Sequence, residues 1–213
     1  MLLANLQSSI ESQYDLELPY QIEHFVSSDR EIATRLADEQ EVAGQARPAL
    51  DEEVVFIRQQ HDELEFTVFV DEALLSAVDK GQSDLDGLCT VVEGVSHAVC
   101  LLWHAHHERQ LRPIDLELQA EIDKFTILVD RLTCLPDGRD LHRQLFADSR
   151  LIPEQGSELH SRYRTASQLA SKYCQWLHCQ YIEDNDKVSL ARELARFYRL
   201  SGGAKFDYIR RLH

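Results

Sequence analysis

The sequence predicts an α+β fold that is predominantly α-helical, a helical bundle carrying one N-terminal β-hairpin at about residues 54–70. Three observations predict it. Apolar residues recur three and four positions apart through most of the chain, the period of a helix with one buried stripe. Leu64, Phe66, Val68 and Val70 instead fall at strict alternate positions, the period of a strand with one buried face. The five prolines all stand where one pattern gives way to the next. The expected organisation is an acidic α+β region over 1–80 and a helical bundle over 81–213, forming one compact unit.

Residues 1–45 read as two or three short helices, broken near Leu18-Pro19. The clearest is Asp29–Asp38, with Ser27 or Ser28 as its expected N-cap. Val54-Val-Phe-Ile57 is a β-prone run, and the polar Gln60-His-Asp62 separates it from the alternating stretch, which makes a hairpin. A lone hairpin is marginal in water, so it must pack on helices or pair with a further strand. Asp71 can cap a short helix ending at Lys80. A long helix follows over about 85–111, then one over 114–132 after Pro113. Pro136-Asp-Gly138 signals a turn, and a short helix covers 140–146. The next helix is expected over 154–181, with Pro153 at its start. Its residues Leu159, Tyr163, Ala166, Ala170, Tyr173 and Leu177 form an apolar seam. A helix over 183–200 stops at Gly202-Gly203, and a last one ends at His213.

The 213 residues include 37 acids and 22 Lys and Arg, a formal charge of −15. That balance weighs against wrapping nucleic acid or lying on an anionic membrane. It is unevenly spread. Residues 1–100 hold 21 acids and 5 bases, a net of −16, whereas 101–213 hold 16 acids and 17 bases, a net of +1. The N-terminus lacks the basic and apolar regions of a secretory signal, and no run of eighteen apolar residues suggests a membrane span. Five cysteines without a CxxC pair point to a reducing compartment, so the expected setting is the cytoplasm.

The most suggestive constellation lies on the long helix. Cys89, Glu93, His97, Cys100, His104 and His107 are separated by 4, 4, 3, 4 and 3 residues. They share a narrow arc, opposite an apolar face of Leu88, Val91, Val92, Val95, Val99, Leu102 and Trp103. Carboxylate, imidazole and thiolate are the ligands of zinc and iron. Glu117 and Glu121 repeat four apart on the next helix, and antiparallel packing across Pro113 would carry them towards His97 or His104. The candidate metal ligands are therefore Glu93, His97, Cys100, His104, Glu117 and Glu121. Helical spacing alone also yields ordinary i,i+4 pairs on a polar face, and the alternative role for Gly94 is close packing alone. A second thiol–imidazole pair, Cys174 and His178 with Cys179 beside it, would make a Cys₂His₂ set if it met Cys100 and His104.

Near the C-terminus, Arg192, Arg196 and Arg199 line one side of a helix, and Lys205, Arg210 and Arg211 follow. Leu194, Ala195, Leu200 and Ser201 resemble the spacing of the helix–turn–helix pattern of bacterial DNA-binding domains. The resemblance covers about twenty residues and departs at Arg199, where that pattern takes a glycine. It implies DNA as a ligand for these arginines. The alternative is charge pairing with acids of the chain's first half or of a partner. GxGxxG, Walker and GxSxG motifs are absent from the sequence. The expected function is non-catalytic interaction or regulation, with a protein partner or a second copy. A metal-dependent helical enzyme or metal sensor and a DNA-binding regulator are the alternatives.

Overall fold

The computed structural model describes residues 1–43, 46–60, 63–131, 138–146, 158–200 and 203–212. The expected α+β, helix-dominated architecture is present. The chain divides into two compact units. The first comprises residues 1–8 and 18–106, and the second comprises 9–17 and 107–213. The long helix expected to open the bundle therefore groups with the hairpin, in the first unit. Helix α1 (Leu2–Tyr14) begins in one unit and ends in the other.

In unit 1, β2 (Glu53–Gln60) and β3 (Glu63–Val70) form the expected antiparallel hairpin. Their register runs from Glu53 opposite Val70 to Gln60 opposite Glu63. The expected turn at His61-Asp62 lies outside the described residues. A further strand pairs with the hairpin, as its marginal stability requires. This is β1 (Val26–Ser27), parallel to β3, giving the sheet order β1-β3-β2. Two β residues amid polar neighbours carry too little periodicity to be seen in the sequence.

Helix α2 (Arg30–Val42) starts after Asp29, not after Ser27 or Ser28. The Asp29 carboxylate accepts hydrogen bonds from the Glu31 and Ile32 amides, while Ser27 Oγ accepts only from Asp29 N, ahead of the helix. Asp71 caps α3 (Glu72–Asp79) as expected. On one face of the sheet, Val54, Phe56 and Phe69 pack with Ala33 and Ala37 of α2. On the other lie Val68 and Val70, against α4 (Leu85–His106). Alternation along the strands assigns Glu53 to that second face as well.

Helix α4 ends five residues earlier than expected, and Glu108 adopts a left-handed φ of 50° just beyond it. By length and composition α4 could cross a membrane, but most of it is buried within the protein. Its expected polar arc is not a solvated face. His97, Cys100 and His104 are buried, Cys89 and Glu93 are half-buried, and of the arc only His107 is exposed.

Unit 2 contains α5 (Pro113–Arg131), α6 (Gly138–Phe146), α7 (Glu158–Leu177), α8 (Lys187–Tyr198) and α9 (Gly203–Arg211). The α7 seam packs as expected through Ala166, Ala170, Tyr173 and Leu177, all fully buried. The Leu159 side chain, Pro136, Pro153, the expected start of α7 at 154 and Gly202 lie outside the described residues. Helix α7 does not continue as an α-helix to Tyr181. His178–Ile182 form a π-helical turn, in which Glu183 N donates to His178 O at 3.0 Å.

Candidate metal centre

Two of the six expected ligands come together, joined by a third that the helical spacing could not reveal. Glu93 and His97 lie one turn apart on α4, and Glu53 reaches them from the first residue of β2. One donor atom from each lies within 4.8 Å of the other two. His97 Nδ1 is 3.1 Å from Glu53 Oε1. The imidazole is 3% exposed and the Glu53 side chain 13%.

Gly94 explains how the strand comes so close. A Cβ there would stand 2.9 Å from Val70 Cγ2, 3.3 Å from Glu53 Cγ and 3.4 Å from Val68 Cγ1. The missing side chain thus lets β2 and β3 lie directly against the helix between Glu93 and His97. This is the close-packing role the sequence allowed for Gly94.

Two carboxylates and an imidazole at such separations suit a divalent first-row ion. Zinc–oxygen and zinc–nitrogen bonds of about 2.0–2.2 Å place neighbouring ligand atoms roughly 3.3–3.5 Å apart in a tetrahedron. The His97–Glu53 separation is already near that edge. The donor set fits zinc or iron better than calcium, whose sites are built from oxygen.

The remaining expected ligands are placed elsewhere. Cys100 Sγ lies 3.6 Å from His104 Nδ1, and that nitrogen is also 2.9 Å from the Cys100 carbonyl, to which it can donate. The pair is a local one along α4. Glu117 and Glu121 belong to unit 2. Arg162 stands 3.6 Å from Glu117, and Lys124 donates to Glu121 at 2.8 Å, so both carboxylates have basic partners there.

A second donor group occurs at the π turn of unit 2, where His178, Cys179 and Glu183 gather. The π geometry brings Glu183 round to His178, 3.4 Å from its Nδ1, but Arg139 also binds the Glu183 carboxylate. A guanidinium on that carboxylate competes with any ion. Cys174, expected to work with His178, is outside the group, and burial pushes its thiol well above the usual range. Cys100 and His104 lie in unit 1, and Cys174 and His178 in unit 2.

Unit 2 buries a polar network that the sequence did not disclose. The Tyr14 hydroxyl donates to Asp123, and Gln119 Nε2 donates to Asp123 Oδ1 at 2.9 Å. Lys205 as a residue is 2% exposed, and its ammonium donates to Gln119 Oε1 at 2.9 Å and sits 5.2 Å from the centres of the Phe197 and Tyr198 rings. Burial, then the Asp123 charge, hold the Tyr14 phenol well above its ordinary pKa. Nearby, Glu193 accepts from Tyr173 at 3.2 Å and from Tyr208 at 2.8 Å. These interlocking bonds satisfy buried polar groups and tie α1, α5, α7, α8 and α9 together.

The C-terminal arginines mostly take partners inside unit 2. Arg196 donates to Glu193 at 2.7 Å, and Arg210 lies 3.6 Å from Asp207. Arg199 donates to the carbonyls of Tyr14 and Asp15 at 2.9 and 2.6 Å, and lies 3.8 Å from the Asp15 carboxylate. Asp15 is an acid of the chain's first half, in line with the charge-pairing alternative. Arg192 and Arg211 are exposed.

The surface depressions along α2, lined by Arg30, Glu31, Thr34, Arg35 and Asp38, contain neither histidine nor cysteine. The convergence of Glu53, Glu93 and His97 is the chemically stronger feature. Compared with known proteins, the chain matches no family model, no curated protein and no solved structure.

Proposed function

We propose that this chain is a metal-binding regulatory protein whose first unit holds a divalent transition ion, zinc or iron, between Glu53, Glu93 and His97. The observation that carries this reading is the meeting of two helix side chains with a strand carboxylate, donor atoms within 4.8 Å of one another. The burial of His97 and Glu53 leaves little room for a substrate, which favours a structural or sensing role over catalysis. An ion there would bridge β2 to α4. It would stabilise unit 1 by mass action, by about 2.7 kcal/mol at a hundredfold excess over the dissociation constant.

The test is elemental analysis of protein purified without chelator, beside a Glu93→Ala, His97→Ala variant with wild-type circular dichroism. The reading expects near-stoichiometric zinc or iron in the wild type and its loss in the variant. Equal metal content in the two proteins would refute it. A second reading, non-catalytic protein interaction, is supported by the outer edge of β2.

A further inference from the structure

Unit 2 gathers a second set of metal-binding side chains, and an irregular turn brings them together. Residues five apart stand about 140° apart round an ordinary α-helix. In the π-helical turn the Glu183 amide donates to the His178 carbonyl at 3.0 Å, which sets Glu183 over His178. Single π turns of this kind recur at functional sites. One donor atom each from His178, Cys179 and Glu183 lies within 4.8 Å of the other two. The imidazole is held in place. Its side chain is 5% exposed, with Nδ1 3.4 Å from Glu183 Oε1, and a Cβ on Gly138 would stand 2.8 Å from Nε2. Cys179 is exposed, so its thiol is open to solvent. Arg139 binds the Glu183 carboxylate through Oε1 alone, with Nε at 3.0 Å.

We propose that His178, Cys179 and Glu183 bind an exchangeable zinc ion in place of Arg139, releasing the tie between α6 and the π turn when free zinc rises. Sulfur, nitrogen and oxygen donors together suit zinc, whereas magnesium and calcium take oxygen. Zinc–sulfur bonds of about 2.3 Å and zinc–nitrogen bonds of about 2.0–2.1 Å put those two donors roughly 3.5 Å apart at a tetrahedral ion. A small rotation of the exposed Cys179 side chain reaches that separation. The thiol gives its proton to solvent as the zinc–sulfur bond forms. The Arg139–Glu183 pair does not close the site. Its side chains are 67% and 35% exposed, and a pair in such contact with water holds back a competing ion only about two- to fivefold. Two exposed ligands and a returning guanidinium make this ion labile, so it is lost during purification. The unit 1 ligands contain no sulfur, which keeps this proposal and its test separate from the unit 1 ion.

Titration of the reduced full chain with cobalt(II), a spectroscopic stand-in for zinc, tests it. The wild type should develop a thiolate-to-cobalt charge-transfer band that zinc then abolishes, and Cys179→Ser should lack it. Glu183→Gln and His178→Ala should each weaken binding at least roughly tenfold. Arg139→Gln should tighten it about two- to fivefold. A wild type without the band overturns the proposal, as does a band that survives Cys179→Ser or an affinity that Glu183→Gln leaves unchanged. Binding by Arg139→Gln that is no tighter than wild type overturns the exchange with Arg139. Should His178→Ala fail to fold, Cys179→Ser and Glu183→Gln, both at exposed residues, decide the matter.

Discussion

Gly94→Ala tests how the strand is held against the helix. The new methyl would lie 2.9 Å from Val70 Cγ2, while ordinary carbon–carbon contacts sit at about 3.5–4.0 Å. The obstacle is not the tip of a flexible side chain. Val70 is fully buried and β-branched, and the Glu53 and Val68 carbons stand close behind it. The hairpin must therefore retreat from α4 by roughly 0.5–1 Å. Alanine gains about 1 kcal/mol over glycine in a helix interior. Overpacking of this kind costs about 1–3 kcal/mol. The net expectation is a loss of about 0–2 kcal/mol, far from the gain that helix propensity alone would give. The same retreat draws Glu53 away from Glu93 and His97, so ion affinity should fall together with stability. Urea unfolding of the metal-free protein reads the first effect, and competition with a chromophoric chelator reads the second. A variant about 1 kcal/mol more stable than wild type, with undiminished ion affinity, would refute the close-approach reasoning.

Three further outcomes are expected. Asp29→Ala should cost about 1 kcal/mol in urea unfolding through loss of the α2 cap, whereas Ser28→Ala should cost almost nothing; equal costs would contradict the cap assignment. Lys205→Met keeps the buried stem but strips Gln119 Oε1 of its donor, and should destabilise the protein by about 2–3 kcal/mol in the same assay; an unchanged or raised stability would contradict the network's role. Burial, then the Glu193 hydrogen bond, push the Tyr208 phenol from 10.0 up to about 12. Its contribution is therefore present below pH 10.0 and lost as pH rises towards 12, so wild-type stability should fall across that window more steeply than that of Tyr208→Phe; parallel curves would contradict this.

Local periodicity made much of the fold legible. The hairpin, α3 and the α7 seam follow from alternation, from the Asp71 cap and from apolar spacing, all of which act within a few residues. β1 was not legible, because two residues have no period and their pairing with Val68 and Phe69 is set by the tertiary fold. The site was half legible for the same reason. Glu93 and His97 announce themselves by helical spacing, but Glu53 joins them through the register of a strand on a helix, which no local pattern encodes. The polar arc on α4 misled in a specific way. Spacing assigns side chains to a face, but here His97, Cys100 and His104 of the polar arc are buried along with Val91, Val92, Val95 and Val99 of the apolar one. The Lys205–Gln119–Asp123–Tyr14 network was invisible because its members come from three helices far apart in sequence.

The most direct measurement of the ion reading is calorimetric titration of the metal-free full chain with zinc and, under anaerobic conditions, with ferrous iron, alongside folded His97→Ala. The account predicts about one equivalent bound in unit 1 of the wild type, and none at that site in the variant. Titration curves that coincide for the two proteins, or a wild type that takes up neither ion, would contradict it.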